Sequence, residues 1–127
     1  MSLKERTANN VHAAFVEEAK AAVRLLLFVE RAKSEGLPQI ASLFRAAAAA
    51  EGIHAKRHFA LLKGNIEDIQ SNLEQVFQSE VGVAGVEYLR MLREADEDGE
   101  ESAASCFRSL EMLTRDTHGL TREHWII

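Results

Sequence analysis

Apolar and polar positions repeat along this chain with the period of an α-helix. From about Glu5 to Glu35, Val11, Phe15, Glu18, Ala22, Leu25 and Val29 recur at the spacing that lines one helical face. One member of that inward stripe, Glu18, is a carboxylate. Its neighbour Glu17 shares a face with Asn10, Lys20, Arg24 and Arg31, where water solvates it. Gly36-Leu37-Pro38 then supplies a stop and a restart, with glycine beyond one helix end and proline at the next start. A second helix is predicted from about Pro38 to Lys63, ending at Gly64. Its inward stripe reads Ile40, Phe44, Ala47, Glu51, His54 and Leu61 or Leu62, and the run Ala46 to Ala50 lets a neighbouring helix approach closely.

A polar connection, Asn65 to Ser71, leads to a third predicted helix, roughly Asn72 to Ala95, with Leu73, Phe77, Glu80, Ala84, Tyr88 and Met91 on one face. Gly82 and Gly85 each weaken it by about 1 kcal/mol relative to alanine, so a kink is expected there. The acidic run Glu94 to Glu101 surrounds Gly99 and reads as a solvated turn. A fourth helix starts near Glu101, and Gly119, just beyond His118, is a candidate cap. Gly36, Ala41, Ser42, Phe44 and Arg45 match Gly99, Ala104, Ser105, Phe107 and Arg108 at one offset of 63 residues. Each half is therefore a helical hairpin, about residues 5–64 and 72–118, and two hairpins make an all-α four-helix bundle.

Composition narrows this picture. The chain of 127 residues is long enough for one domain with a core, taken as 1–127, and too short for two. Its hydrophobic share of 46% and charged share of 28% describe a globular chain. The net charge of −5 argues against a nucleic-acid partner. Residues 1–64 carry 10 Lys/Arg against 6 Asp/Glu, and residues 65–127 carry 5 against 14, so the halves attract each other within a bundle or across a dimer. The apolar stretches fall far short of a membrane span, and no secretory signal opens the sequence. The single cysteine, Cys106, cannot form an internal disulfide; a cytoplasmic location is expected, with Cys106 as a small buried apolar group.

The candidate chemistry lies in Glu51-Gly52-Ile53-His54. Residues three apart stand one turn apart on one side of a helix, so carboxylate and imidazole can converge on one ion. Glu18, on the inward stripe of the partner helix, strengthens the motif. A lone buried carboxylate costs several kcal/mol or neutralises, whereas a metal ion or a paired cation removes that cost. His58, one turn after His54, reads as a helix-end or supporting histidine, and His12 and His124 as surface residues.

Ala14-Phe15-x-x-Glu18, Glu30-Arg31-Ala32-x-x-Glu35-Gly36, Ser42-x-Phe44-Arg45-Ala46 and Glu51-x-x-His54-Ala55 resemble the first hairpin of rubrerythrins. Asn72-Leu73, Glu80, Tyr88 and Phe107-Arg108 continue the likeness, which spans roughly residues 8–118. The resemblance implies a ferritin-like bundle in which a Glu and a Glu-x-x-His from one hairpin face a counterpart set from the other and hold two irons. Glu18, Glu51 and His54 match the first set. Glu80 matches a ligand of the third helix, while the additional glutamate position there is Val83. In the fourth helix the repeat carries Glu51 to Thr114 and His54 to Thr117, neither a normal iron ligand. His118 stands one residue beyond; a helix slid to admit it puts Arg115 where a bridging glutamate belongs. Whether His118 ligates or Arg115 neutralises the carboxylates is open at this point.

The expected metal set is therefore Glu18, Glu51, His54, Glu80 and His118, for iron, with manganese or zinc as alternatives. The function this implies is metal binding with peroxide reduction or iron oxidation, an oxidoreductase activity. The alternatives are a non-catalytic metal storage or sensing bundle, or a degenerate fold serving protein association. With no Cys-x-x-Cys pair in the sequence, redox turnover needs an external electron donor such as a rubredoxin. A homodimer is expected, with the apolar residues Trp125, Ile126 and Ile127 favouring association.

Overall fold

The computed structural model describes residues 3–62, 66–81 and 83–118, and their side chains except those of 77, 79–81, 83–85 and 113–118. Every element among the described residues is helical: α1 (Glu5–Ser34), α2 (Pro38–Leu61), α3 (Ile69–Val81), α4 (Val83–Glu97) and α5 (Glu101–His118). The described residues form two compact units, Met1–Ile66 and Glu67–Ile127.

In the first unit α1 folds back onto α2 through a three-residue turn, Glu35 to Leu37. Gly36 adopts φ +73°, the left-handed conformation in which a Cβ is strained. Its N–H donates to the Lys33 carbonyl at 3.0 Å, and the Leu37 N–H reaches back to the Ala32 carbonyl at 2.9 Å. This pair of bonds satisfies carbonyls that the helix end leaves open. Pro38 then starts α2, where a missing N–H costs nothing. Val29, Ala32 and Ala41 bury themselves at this end, with Phe44 packed against them and its ring 5.6 Å from that of Phe28.

The inward stripe read for α1 holds: Val29 is buried, and Val11, Phe15, Glu18, Ala22 and Leu25 are half-buried. The α2 stripe holds in part: Phe44, Ala47, Glu51 and Leu62 are half-buried, Ile40, His54 and Leu61 are exposed, and the buried residues are Ala41, Ala48 and Ala55 beside them. Small residues carry little weight in a hydropathy pattern, yet they are the ones that let two backbones come close.

In the second unit Asp68 caps α3, its Oδ1 accepting the Ser71 N–H at 2.7 Å while its carbonyl accepts the Asn72 N–H at 2.9 Å. This cap starts the helix at Ile69, earlier than the polar composition of residues 65–71 suggests. The segment expected as one helix from Asn72 to Ala95 is described as α3 and α4 on either side of Gly82. The α4–α5 turn reproduces the first turn at the repeat offset. Gly99 has φ +74°, its N–H donates to Asp96 at 3.1 Å, and the Glu100 N–H reaches the Ala95 carbonyl at 2.9 Å. Ala95 and Ala104 are buried just as their counterparts Ala32 and Ala41 are. The repeat is thus a structural duplication of the turn and of the small residues that flank it.

Cys106 is exposed, contrary to the sequence expectation. Among the described side chains of α5 the buried ones are Ala104 and Glu111, one heptad apart, and Cys106 lies two residues off that line. Of the acidic run, Glu94 and Asp96 to Glu101 are exposed as expected, while Ala95 packs inward. No helix among the described residues is long and apolar enough to cross a membrane.

Candidate metal centre

Glu18 comes from the middle of α1, and Glu51 and His54 from the second half of α2. Because α1 and α2 run as a hairpin, these distant stretches of sequence meet. One ligand-capable atom from each of Glu18, Glu51 and His54 lies within 4.8 Å of the others. Glu18 and Glu51 are half-buried, and the His54 side chain keeps 48% of its surface exposed. Glu18 Oε1 is 3.8 Å from His54 Nδ1.

The other oxygen of Glu18 faces a different imidazole. His58 Nε2 lies 2.8 Å from Glu18 Oε2. That oxygen is buried and accepts no hydrogen bond from the described residues, with His58 Nε2 within reach of it. Phe15 and Phe59 meet across the helix pair with ring centroids 5.0 Å apart and planes tilted by 45°. Phe15 stands one turn before Glu18, and Phe59 follows His58.

The contact between His58 and Glu18 is the feature of the site that sequence reading placed only in outline. Its signal was the run Glu51, His54 and His58, at intervals of three and four on α2. Glu17 is exposed and pairs with Lys20 at 3.6 Å, in keeping with a solvated face. His12 is exposed, and its ring lies 6.4 Å from that of Phe15. Glu80 lies on α3 and His118 ends α5; their side chains, with those of Val83, Thr114, Arg115 and Thr117, lie outside the described residues, as does His124. Tyr88 on α4 and its repeat counterpart Leu25 on α1 are both half-buried.

Carboxylate and imidazole donors converging from adjacent helices suit a divalent transition metal, with oxygen favouring hard ions and nitrogen adding affinity for later ones. The Glu18 carboxylate beside them is half-buried and gains from a cation, since an ionised carboxylate is costly to bury unpaired. The residues present therefore fit a metal ion. Fold and site together define an all-α protein of the ferritin-like class, with a glutamate and a Glu-x-x-His on one hairpin. The family model described as Rubrerythrin matches residues 9–119, and the chain belongs to the rubrerythrin family.

Among its relatives, the rubrerythrin of Nitratidesulfovibrio vulgaris is 34% identical over 122 residues, covering 86% of this chain and 64% of the relative. The rubrerythrin of Clostridium perfringens is 28% identical over 121 residues, covering 83% and 62% respectively. Rubrerythrin-2 of Clostridium acetobutylicum is 39% identical over 80 residues, or 62% of this chain and 44% of the relative. The chain spans less than two thirds of the length of each of these relatives.

Proposed function

We propose that this chain is a single rubrerythrin-like domain that binds iron through Glu18, Glu51 and His54, and that it reduces peroxide there. The observation that carries the reading is the convergence of those three side chains within 4.8 Å on the α1–α2 hairpin. Glu80 and His118 are the candidates for the second half of the ligand set. Bound iron would supply one-electron redox chemistry, so that reducing one peroxide to two waters takes two electrons in succession and two protons from solvent. The protein supplies the rest: Glu18 and Glu51 bring negative charge that offsets the cation, and His54 presents a neutral nitrogen from an exposed position. That exposure leaves the site open to a small oxidant. Electrons come from an external donor such as a rubredoxin, and the working unit is a homodimer.

A second reading is non-catalytic metal storage or sensing. It is favoured by Thr114 and Thr117, which stand at the repeat positions of Glu51 and His54. One experiment separates the readings. Protein purified without chelator is assayed for metal, then reduced and mixed with hydrogen peroxide beside a Glu51→Ala variant. Iron in the native protein, lost on substitution, with ferrous oxidation much faster in the wild type, supports the peroxidase. Bound metal with slow oxidation that is equal in both leaves storage. A chain that is metal-free, and whose melting temperature does not rise with added Fe(II) or Mn(II), ends both, because a ligand of the folded state must raise stability.

A further inference from the structure

We propose that His58 is a positioning residue that aims Glu18 at the metal. The proposal rests on the reading of Glu18 as a ligand and adds a role for a histidine outside the Glu/Glu-x-x-His set.

The reasoning starts from the two oxygens of one rigid carboxylate. Oε1 faces His54 Nδ1, a residue of the converging group, at 3.8 Å. Oε2 is buried, so bulk water does not hold it. The nitrogen that meets it is His58 Nε2, at 2.8 Å. Fixing one carboxylate oxygen fixes the other, and a glutamate side chain otherwise has several rotatable bonds with which to swing away. An imidazole carrying its proton on Nε2 is enough to donate, once the ring is turned so that this N–H is aimed at Oε2.

The surroundings favour that role over ligation. His58 lies one turn beyond His54 on α2 and meets Oε2 of Glu18, and the converging group of Glu18, Glu51 and His54 does not include it. The His58 side chain is only 30% exposed, so its contact with Glu18 is partly shielded from competing water. Partners that hold a ligating carboxylate or imidazole in place are worth about 10–100-fold in metal affinity.

The test compares wild type with His58→Leu and His58→Gln. Mn(II) binding is measured by calorimetry and, under anaerobic conditions, Fe(II) binding by the rise in melting temperature. His58→Leu should weaken binding about 10–100-fold. His58→Gln keeps an N–H donor on a side chain of similar reach and should recover most of the loss. Equal affinity in wild type and His58→Leu overturns the proposal. So does a His58→Gln variant as weak as His58→Leu, which would mark His58 as a ligand or a packing residue. A double-mutant cycle of His58→Leu with Glu18→Gln, melted in metal-free buffer, tests the contact itself. The two losses should be less than additive if the residues hold each other, and additive losses overturn the proposal. Metal binding that is absent from the wild type refutes the proposed function instead, while the cycle still decides whether His58 holds Glu18.

Discussion

The same chemical change, glycine to alanine, should have opposite effects at Gly36 and Gly52, and the reason is backbone conformation alone. A Cβ built at either position meets nothing within 4 Å, so neither change has a packing cost. At Gly36, φ is +73°, where an L-residue costs about 1–2 kcal/mol. Alanine also stiffens the unfolded chain, which returns about 0.4–1 kcal/mol. The net expectation is a loss of about 1 kcal/mol, or about 3–5 °C in melting temperature for a chain of this size. Gly99, at φ +74° with equally open space, should lose the same amount. Gly52 lies inside α2, where alanine is the better helix former, and Gly52→Ala should gain about 0.5–1 kcal/mol. Thermal melts followed by circular dichroism in chelator-treated buffer would measure all three without interference from metal. A neutral or stabilising Gly36→Ala, or opposite signs at Gly36 and Gly99, would refute the assignment of these turns.

Two further outcomes follow from single residues. The Ser71 backbone N–H and side chain hold the Asp68 carboxyl below the usual carboxylate range, so its stabilising cap is present above that range and lost as pH falls through the depressed value. Asp68→Ala should therefore melt earlier at neutral pH, with the gap to wild type closing in acid; a gap independent of pH would contradict the cap. Cys106 should react at once with a thiol reagent in the folded protein, and a thiol that reacts only after denaturation would contradict its exposure.

Much of the first hairpin was legible in the sequence because its signals are large or chemically distinctive. Val11, Phe15, Leu25 and Val29 marked the inward face of α1, and a glutamate among them was conspicuous. Gly36 and Pro38 punctuated the turn, and an identical spacing around Gly99 announced its copy. The face of α2 was harder to read. Ile40 looks like a core residue but is exposed, because its neighbour Ala41 occupies the tight position against Val29 and Ala32. Asp68 hid its capping role within a polar stretch that reads as connection. His58 was visible as a histidine one turn from the motif, but spacing along one helix does not show which oxygen of a residue on another helix it will meet. That contact depends on the depth and rotation with which α1 and α2 pack.

Those same alanines bear on how the donors are held apart. An alanine methyl has no rotamer to adjust, so where Ala48 and Ala55 are buried, no side-chain rearrangement can widen or narrow the spacing. Glu51 and His54 sit between them on α2. The hairpin therefore works like a gauge block cut to one thickness. Ions of different radius would have to be accommodated by the long arms of Glu18 and Glu51, while the backbones that carry them keep their distance.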